Sequence, residues 1–309
     1  MLDVLSLHMM VCHMPERHWL AQARGSSGVK QVAILGAGGN MGRRITKALL
    51  DHDDYAVRHI EPSERGRKLL GELGVATAEL DQGLAGADVV IFAVPDLIIR
   101  TIAAQIVPML DPGSSMLFLD PAALAADRIP RRDDVNCYVT HPTHPPLYSL
   151  LQEPDAAART DFWGGGLARQ AVVFAVAWGA GDPVAADVEQ LVMAMFAPIT
   201  RSHRITVEQM AMLEPALSET LTNGCVSLIR EGMQKVIDAG VPEEATRDFL
   251  MGHLQIGIAI IFGQLDWKLS DGAAMALREA KGALFRDDWD AIFDREAIQA
   301  SVRQITGGD

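Results

Sequence analysis

Gln31-Val32-Ala33-Ile34-Leu35 runs without a break into Gly36-Ala37-Gly38-Gly39-Asn40-Met41-Gly42, and Arg43–His52 then repeats apolar residues at helical spacing. A short β-rich run, a glycine cluster and a helix follow one another in that order. This is the context in which glycines bring backbone close to a pyrophosphate and aim helix N–H groups at it. The spacing that closes is Gly36-x-x-Gly39-x-x-Gly42, with Gly38 as an extra glycine and Asn40 and Met41 completing the turn.

Working outward, the same rhythm continues. Strands are expected at Tyr55–Ile60, Val75–Thr77, Ala87–Val94, Ser115–Leu119, Cys137–Thr140 and Gln170–Trp178, with an edge strand at Ile199–Ser202. Helices are expected between them, among them Ser63–Leu73, Leu97–Leu110 and Val184–Met195. Ala87–Val94 is apolar apart from Asp88 near its start, as a parallel strand covered on both faces requires. Alternating strands and helices with short joins predict an α/β fold: a doubly wound, mostly parallel Rossmann sheet. From Thr206 onward only helical patterns remain. Residues 1–29 read as a disordered extension, 30–203 as the Rossmann domain and 204–309 as an all-helical domain.

Composition narrows the function classes. The 309 residues carry a net charge of −13, which divides into −6 over residues 1–203 and −7 over 204–309. No basic module hides inside the acidic average, so nucleic-acid binding is not expected. An anionic substrate needs a local positive cluster, and Arg201-Ser202-His203-Arg204 supplies one at the expected domain join. Three scattered cysteines form neither a disulfide framework nor a zinc site and fit a reducing cytoplasm. The most apolar internal run, Phe249–Gly263, is too short to span a bilayer and reads as a buried helix.

The candidate site follows from the sheet edge. Glu61 ends the second strand, 25 residues after Gly36. A carboxylate there accepts from both ribose hydroxyls and repels a 2′-phosphate, which favours NAD over NADP. Ser63, Arg65 and Arg67 would grip a 2′-phosphate only if Glu61 turned away. Val94-Pro95 would form a wall over the cofactor. His141-Pro142-Thr143-His144-Pro145-Pro146 holds two imidazoles on a stiffened backbone after the sixth strand. Imidazole suits removal of a hydroxyl proton as a hydride leaves. Two histidines without a neighbouring acid are too few for a metal, so none is expected. Glu214 precedes a proline inside a helical pattern and is a further acid–base candidate, while Arg201, His203 and Asn223 are candidate substrate contacts.

The stretches Ile34–Arg44, Ala87–Asp96, Leu119–Ala123, Val139–Pro146, Arg201–Thr220 and Arg247–Gly263 together resemble the 6-phosphogluconate dehydrogenase and β-hydroxyacid dehydrogenase superfamily. The closer resemblance is to its branch with a phosphogluconate dehydrogenase-like C-terminal domain. His141-Pro142 is also similar to the His-Pro of prephenate dehydrogenases, whose histidine contacts the reacting hydroxyl. The cap helix lacks the Lys-x-x-Asn pattern of 6-phosphogluconate and 3-hydroxyisobutyrate dehydrogenases, which counts against decarboxylation of 6-phosphogluconate itself. The resemblance implies an NAD-dependent oxidoreductase acting on a small polyhydroxylated sugar acid. In one branch it also implies oxidation next to the carboxylate followed by migration of that carboxylate. It further implies a homodimer formed through the C-terminal helices. The competing expectations are a prephenate dehydrogenase-like enzyme, an NADPH-dependent reductase and a non-catalytic NAD-sensing protein.

Overall fold

The structure is a computed structural model describing residues 28–308. The expectation for residues 1–29 therefore falls almost wholly outside the described residues. The chain divides into two compact units, one of residues 1–94, 109–119 and 132–203, the other of 95–108, 120–131 and 204–309.

The first unit is organised by an eight-stranded sheet of order β3-β2-β1-β4-β5-β6-β7-β8. Its strands are β1 (Lys30–Leu35), β2 (Tyr55–Ile60), β3 (Thr77–Ala78), β4 (Val89–Phe92), β5 (Ser115–Phe118), β6 (Asn136–Pro142), β7 (Gln170–Trp178) and β8 (Ile199–Arg204). Strands β1 to β6 are parallel, and β7 returns antiparallel to β6. The order reverses between β1 and β4, the switch point at which open α/β sheets bind ligands. The apolar runs predict this core: β4 and β5 are buried at every residue, and Phe92 stacks on Phe118 at 4.5 Å. Helices α1 (Asn40–Leu49) and α6 (Asp182–Met195) add Ile45, Leu49, Leu191 and Val192 to the same core. Helices α2 (Glu64–Gly71) and α3 (Leu80–Leu84) complete the crossovers among the first four strands.

Register fixes which strand ends lie level. Leu35 pairs with Phe92, Phe92 with Phe118 and Phe118 with Val139. The glycine turn and the end of β6 therefore share one edge of the sheet. Strand β6 is longer than the expected Cys137–Thr140, because pairing with β7 extends it to Pro142. His141 thus lies inside the strand, two residues past the level at which β5 ends.

In the second unit, α4 (Asp96–Ile106) and α5 (Ala122–Ala125) group with the C-terminal residues rather than with 30–203. The reason for α5 is apolar packing: Ala122 shares a small core with Ala211, Ala216, Ile298 and Val302. Gln299 of α11 (Arg295–Ile305) also donates to the Ala125 carbonyl at 3.0 Å. Thr206 and Gln209 form a capping box at the start of α7 (Val207–Ala211). The helical pattern that follows divides into α7, a π-helical segment (Met212–Asn223) and α8 (Gly224–Asp238). Pro215 lacks the N–H that would close an ordinary helical turn, and the segment bonds at wider i→i+5 spacing.

Helices α9 (Glu243–Ile261) and α10 (Asp271–Leu284) follow. The expectation of a buried Phe249–Gly263 helix is corrected. Thr246 is the one buried residue of α9, and Phe249 and Phe262 are 68% and 73% exposed. The run is apolar without being covered by the described residues of the chain. No helix among those residues is long and apolar enough to cross a membrane.

Candidate nucleotide and proton-transfer site

The glycine turn is as tight as its sequence predicts. Gly36 adopts φ +73°, and a side-chain carbon there would sit 2.4 Å from the Ala93 carbonyl oxygen. One at Gly42 would sit 2.3 Å from the Gly36 carbonyl oxygen, so α1 packs directly on the turn. Gly39 and Asn40 are exposed at the N-terminus of α1, whose first turn carries no acid. That arrangement leaves helix N–H groups facing outward, the donor set an anionic phosphate requires. Val94 borders the turn from the end of β4, and Pro95 is the N-cap of α4. Met41 packs partly against the core.

Glu61 is buried and held from two sides. Its Oε2 accepts from the Gly38 N–H at 2.9 Å, and its Oε1 accepts from the Ser63 N–H at 2.9 Å and the Ser63 hydroxyl at 2.6 Å. Ser63 caps α2, and Arg67 donates to the Glu61 backbone carbonyl at 3.4 Å. Glu61 therefore does not turn away, and Ser63 and Arg67 are engaged around it.

The two histidines make parallel use of their rings. Nδ1 of His141 lies 2.9 Å from the Leu119 carbonyl oxygen, and Nδ1 of His144 lies 3.0 Å from the Trp163 carbonyl oxygen. A carbonyl only accepts, so Nδ1 carries the proton in each ring. In a neutral ring held this way the lone pair lies at Nε2, the tautomer a proton acceptor needs. The rings are edge-to-face with centroids 6.2 Å apart, and both are half-buried. His144 sits at φ +57°, held by Thr143, whose N–H donates to the Ala171 carbonyl.

The remaining expected residues are placed differently. Arg201 and His203 lie exposed on β8, a strand rather than a turn, and β8 ends where the first unit gives way to the second at residues 203 and 204. Two strand spacings, about 10 Å, separate β8 from β6. Glu214 and Asn223 stand on the π-helical segment, at its third and last residues. An i→i+5 ladder winds at roughly four and a half residues per turn, so their nine-residue spacing becomes about two turns. The wide winding puts both on one face, where an ordinary helix would set them on opposite faces.

Within the second unit the carboxylates of Asp120 and Glu214 lie within 4.8 Å of each other. An acidic pair alone does not make a metal site. Reasoning from sequence missed Arg44, Asp161 and Trp163, which brace the segment behind His144. The one available signal was a tryptophan beside three glycines, Gly164–Gly166, in a proline-rich excursion.

Comparison with known proteins agrees with this geometry. The family profile described as Phosphogluconate dehydrogenase (decarboxylating) C-term matches residues 151–306, and that of NADP oxidoreductase coenzyme F420-dependent matches residues 31–117. D-apionate oxidoisomerase from Cupriavidus necator is 45% identical, covering 90% of this chain and 99% of the relative. The chain belongs to the D-apionate oxidoisomerase family. A second family member, from Rhizobium rhizogenes, is 42% identical over 89% of this chain and 99% of its own length. A Cupriavidus necator structure titled semialdehyde dehydrogenase NAD-binding protein, in complex with calcium and NAD, superposes with a TM-score of 0.85. It is 45% identical and covers 90% of this chain and 99% of its own. As a member of this family the chain is an enzyme, an oxidoreductase whose first unit is a Rossmann nucleotide-binding domain.

Proposed function

We propose that the protein oxidises a hydroxyl of a small, anionic, polyhydroxylated sugar acid of the apionate type with NAD and then isomerises the carbon skeleton of the product. The observation that carries this reading is the matched histidine pair at the ligand-binding edge, each with Nδ1 held on a backbone carbonyl.

Gly36, Gly38, Gly39 and Gly42 fit a dinucleotide, because their missing side chains leave backbone N–H groups to meet the pyrophosphate. Asn40 lies at the same helix start, and Val94 and Pro95 border the turn. Glu61 fits the adenosine ribose: its oxygens retain lone pairs beyond the Gly38 and Ser63 bonds, and its charge disfavours a 2′-phosphate. NAD, held there, would supply the hydride acceptor. His141 or His144 takes the hydroxyl proton at Nε2 and returns it to the ketone oxygen during isomerisation. In that second step a substituent of the carbinol carbon, and not the expected carboxylate, which already sits on the ketone carbon, moves with its bonding pair to the ketone carbon. The neighbouring hydroxyl gives up its proton and becomes the new ketone, so no net electrons are exchanged. Glu214, and Asn223 on the same helical face, serve as an acid–base group and a hydroxyl contact. Arg201 and His203 are the sequence's candidates for the anionic group, a role their place on β8 favours less.

The reading extends to assembly and location. Among the described residues no side chain of α8 or α10 is buried, and long apolar helices in that state need a partner. A second copy of the chain, packed through these helices, supplies it. Cys137 and Cys225 are free thiols, in keeping with a reducing cytoplasm.

Purified protein incubated with NAD and a panel of sugar acids that includes D-apionate tests the reading. NADH is expected from an apionate-type acid, with a rearranged keto acid detected by mass spectrometry and NMR. Tight NAD binding without NADH from any acid would overturn the reading in favour of an NAD-sensing protein.

A further inference from the structure

Arg44 is a charged residue that the nucleotide turn does not account for. It lies two residues past Gly42, in the second turn of α1, and only 7% of it is exposed. Its side chain points away from the phosphate-facing end of the helix. Nε donates to the Gly164 carbonyl, Nη2 to the Phe196 carbonyl at 3.3 Å and Nη1 to the Met195 carbonyl at 3.5 Å. The guanidinium lies 4.9 Å from the Phe196 ring centre and 5.9 Å from that of Trp163. Burial draws its pKa down to about 10 against the opposing pull of Asp161.

Asp161 fixes the same segment from the other side. Its Oδ1 accepts from the Gly165 N–H at 2.6 Å, and its Oδ2 accepts from the Leu167 and Ala168 N–H groups at 2.9 and 3.0 Å. Burial alone would raise this carboxyl's pKa. The three N–H donors and the Arg44 charge outweigh burial and lower it. Between the two charged groups stand Trp163 and Gly164. The Trp163 carbonyl is the acceptor that holds Nδ1 of His144. Gly164 takes φ +75° and gives its own carbonyl to Arg44.

We propose that Arg44 is a positioning residue for His144: through Gly164 it sets the Trp163 carbonyl, which fixes the orientation and tautomer of the imidazole. The helix that begins at the nucleotide turn thereby also braces the proton acceptor. This rests on the proton-transfer reading of the histidine pair, but the tautomer consequence can be measured without turnover. Lysine cannot serve in place of Arg44, because one ammonium lacks the planar fork that reaches three separate carbonyls.

The test uses the full-length protein with labelled histidine. Arg44→Lys is compared with Asp161→Asn, the second variant guarding against a lysine protein that does not fold. In both, the His144 nitrogen NMR signals are expected to shift from a single Nδ1-protonated tautomer toward a mixture. The kcat should fall by about 10- to 100-fold and its pH profile should move, as expected when a reacting group loses its support. NAD affinity should stay within about threefold, since neither side chain bonds the nucleotide turn. Unchanged His144 tautomer signals in both folded variants would overturn the proposal. Full activity in His144→Gln would instead remove His144 from the proton-transfer reading and leave the tautomer result to stand separately.

Discussion

Strands β4 and β5 bury every residue they contain, whereas α8 and α10 bury none. Both regions are rich in apolar side chains, so composition does not separate them. What separates them is where their contacts lie. Burying one Leu, Ile or Phe side chain contributes about 1.5–3 kcal/mol. The sheet collects that stabilisation within the chain, from α1, α6 and neighbouring strands. The C-terminal helices expose Val226, Leu228, Phe249, Ile261, Phe262 and Trp267 and must collect it elsewhere. The first unit is thus self-sufficient in its core, and the exposed helices of the second are the ones the proposed dimer would cover.

The most damaging way to break the comparison is to strike the self-sufficient side. Gly42→Val places a branched side chain where even one carbon would meet the Gly36 carbonyl oxygen at 2.3 Å. Helix α1 must then lift from the turn. NAD affinity measured by calorimetry is expected to fall by at least about 100-fold, the scale set by ångström-level misplacement. A variant that binds NAD normally would show that α1 does not need this close packing.

The opposite side is tested at α9. Phe249→Asp together with Phe262→Asp leaves the sheet untouched, because both residues lie in the exposed apolar run. Sedimentation is expected to show the proposed dimer becoming monomer, with NAD affinity changed by less than about threefold, as independence of distant sites predicts. Retention of the native mass would remove these helices from the proposed dimer contact.

How far the sequence was legible follows the same division. The parallel strands were readable because a strand buried on both faces must be apolar throughout, as Val89–Phe92 is. The glycine turn was readable because its residues can do little else at those distances. Reading became incomplete where a non-local partner decides the outcome. β6 extends through His141 because β7 comes back alongside it, and no local pattern encodes that return. The π-helical winding was foreshadowed only as a kink at Pro215, since the proline marks a missing donor without specifying how the helix responds. The apolarity of Phe249–Gly263 was plain, but apolarity reports a need for cover and not the identity of what covers it. Arg44 was invisible as a brace because its acceptors are backbone carbonyls 120 to 152 residues away.

The smallest effect sharpens the account of the self-sufficient core. His59 of β2 is buried, and its Nε2 has no hydrogen-bond partner. Burial brings its pKa down from 6.5 to about 4. The folded protein thus holds His59 neutral where the unfolded chain protonates it. Stability from this group is complete above pH 6.5 and is lost as pH falls through 4, because the unfolded state binds more protons across that window. The loss amounts to at most about 3 kcal/mol. Urea unfolding at pH 7 and pH 4.5 measures it. His59→Gln is expected to flatten the difference between the two pH values while leaving an uncharged polar group in the same place. An unchanged acid dependence in that variant would mean that the sheet admits enough water at β2 to hydrate an imidazolium. The core of the first unit would then be less dry at its β2–β3 edge than at β4 and β5.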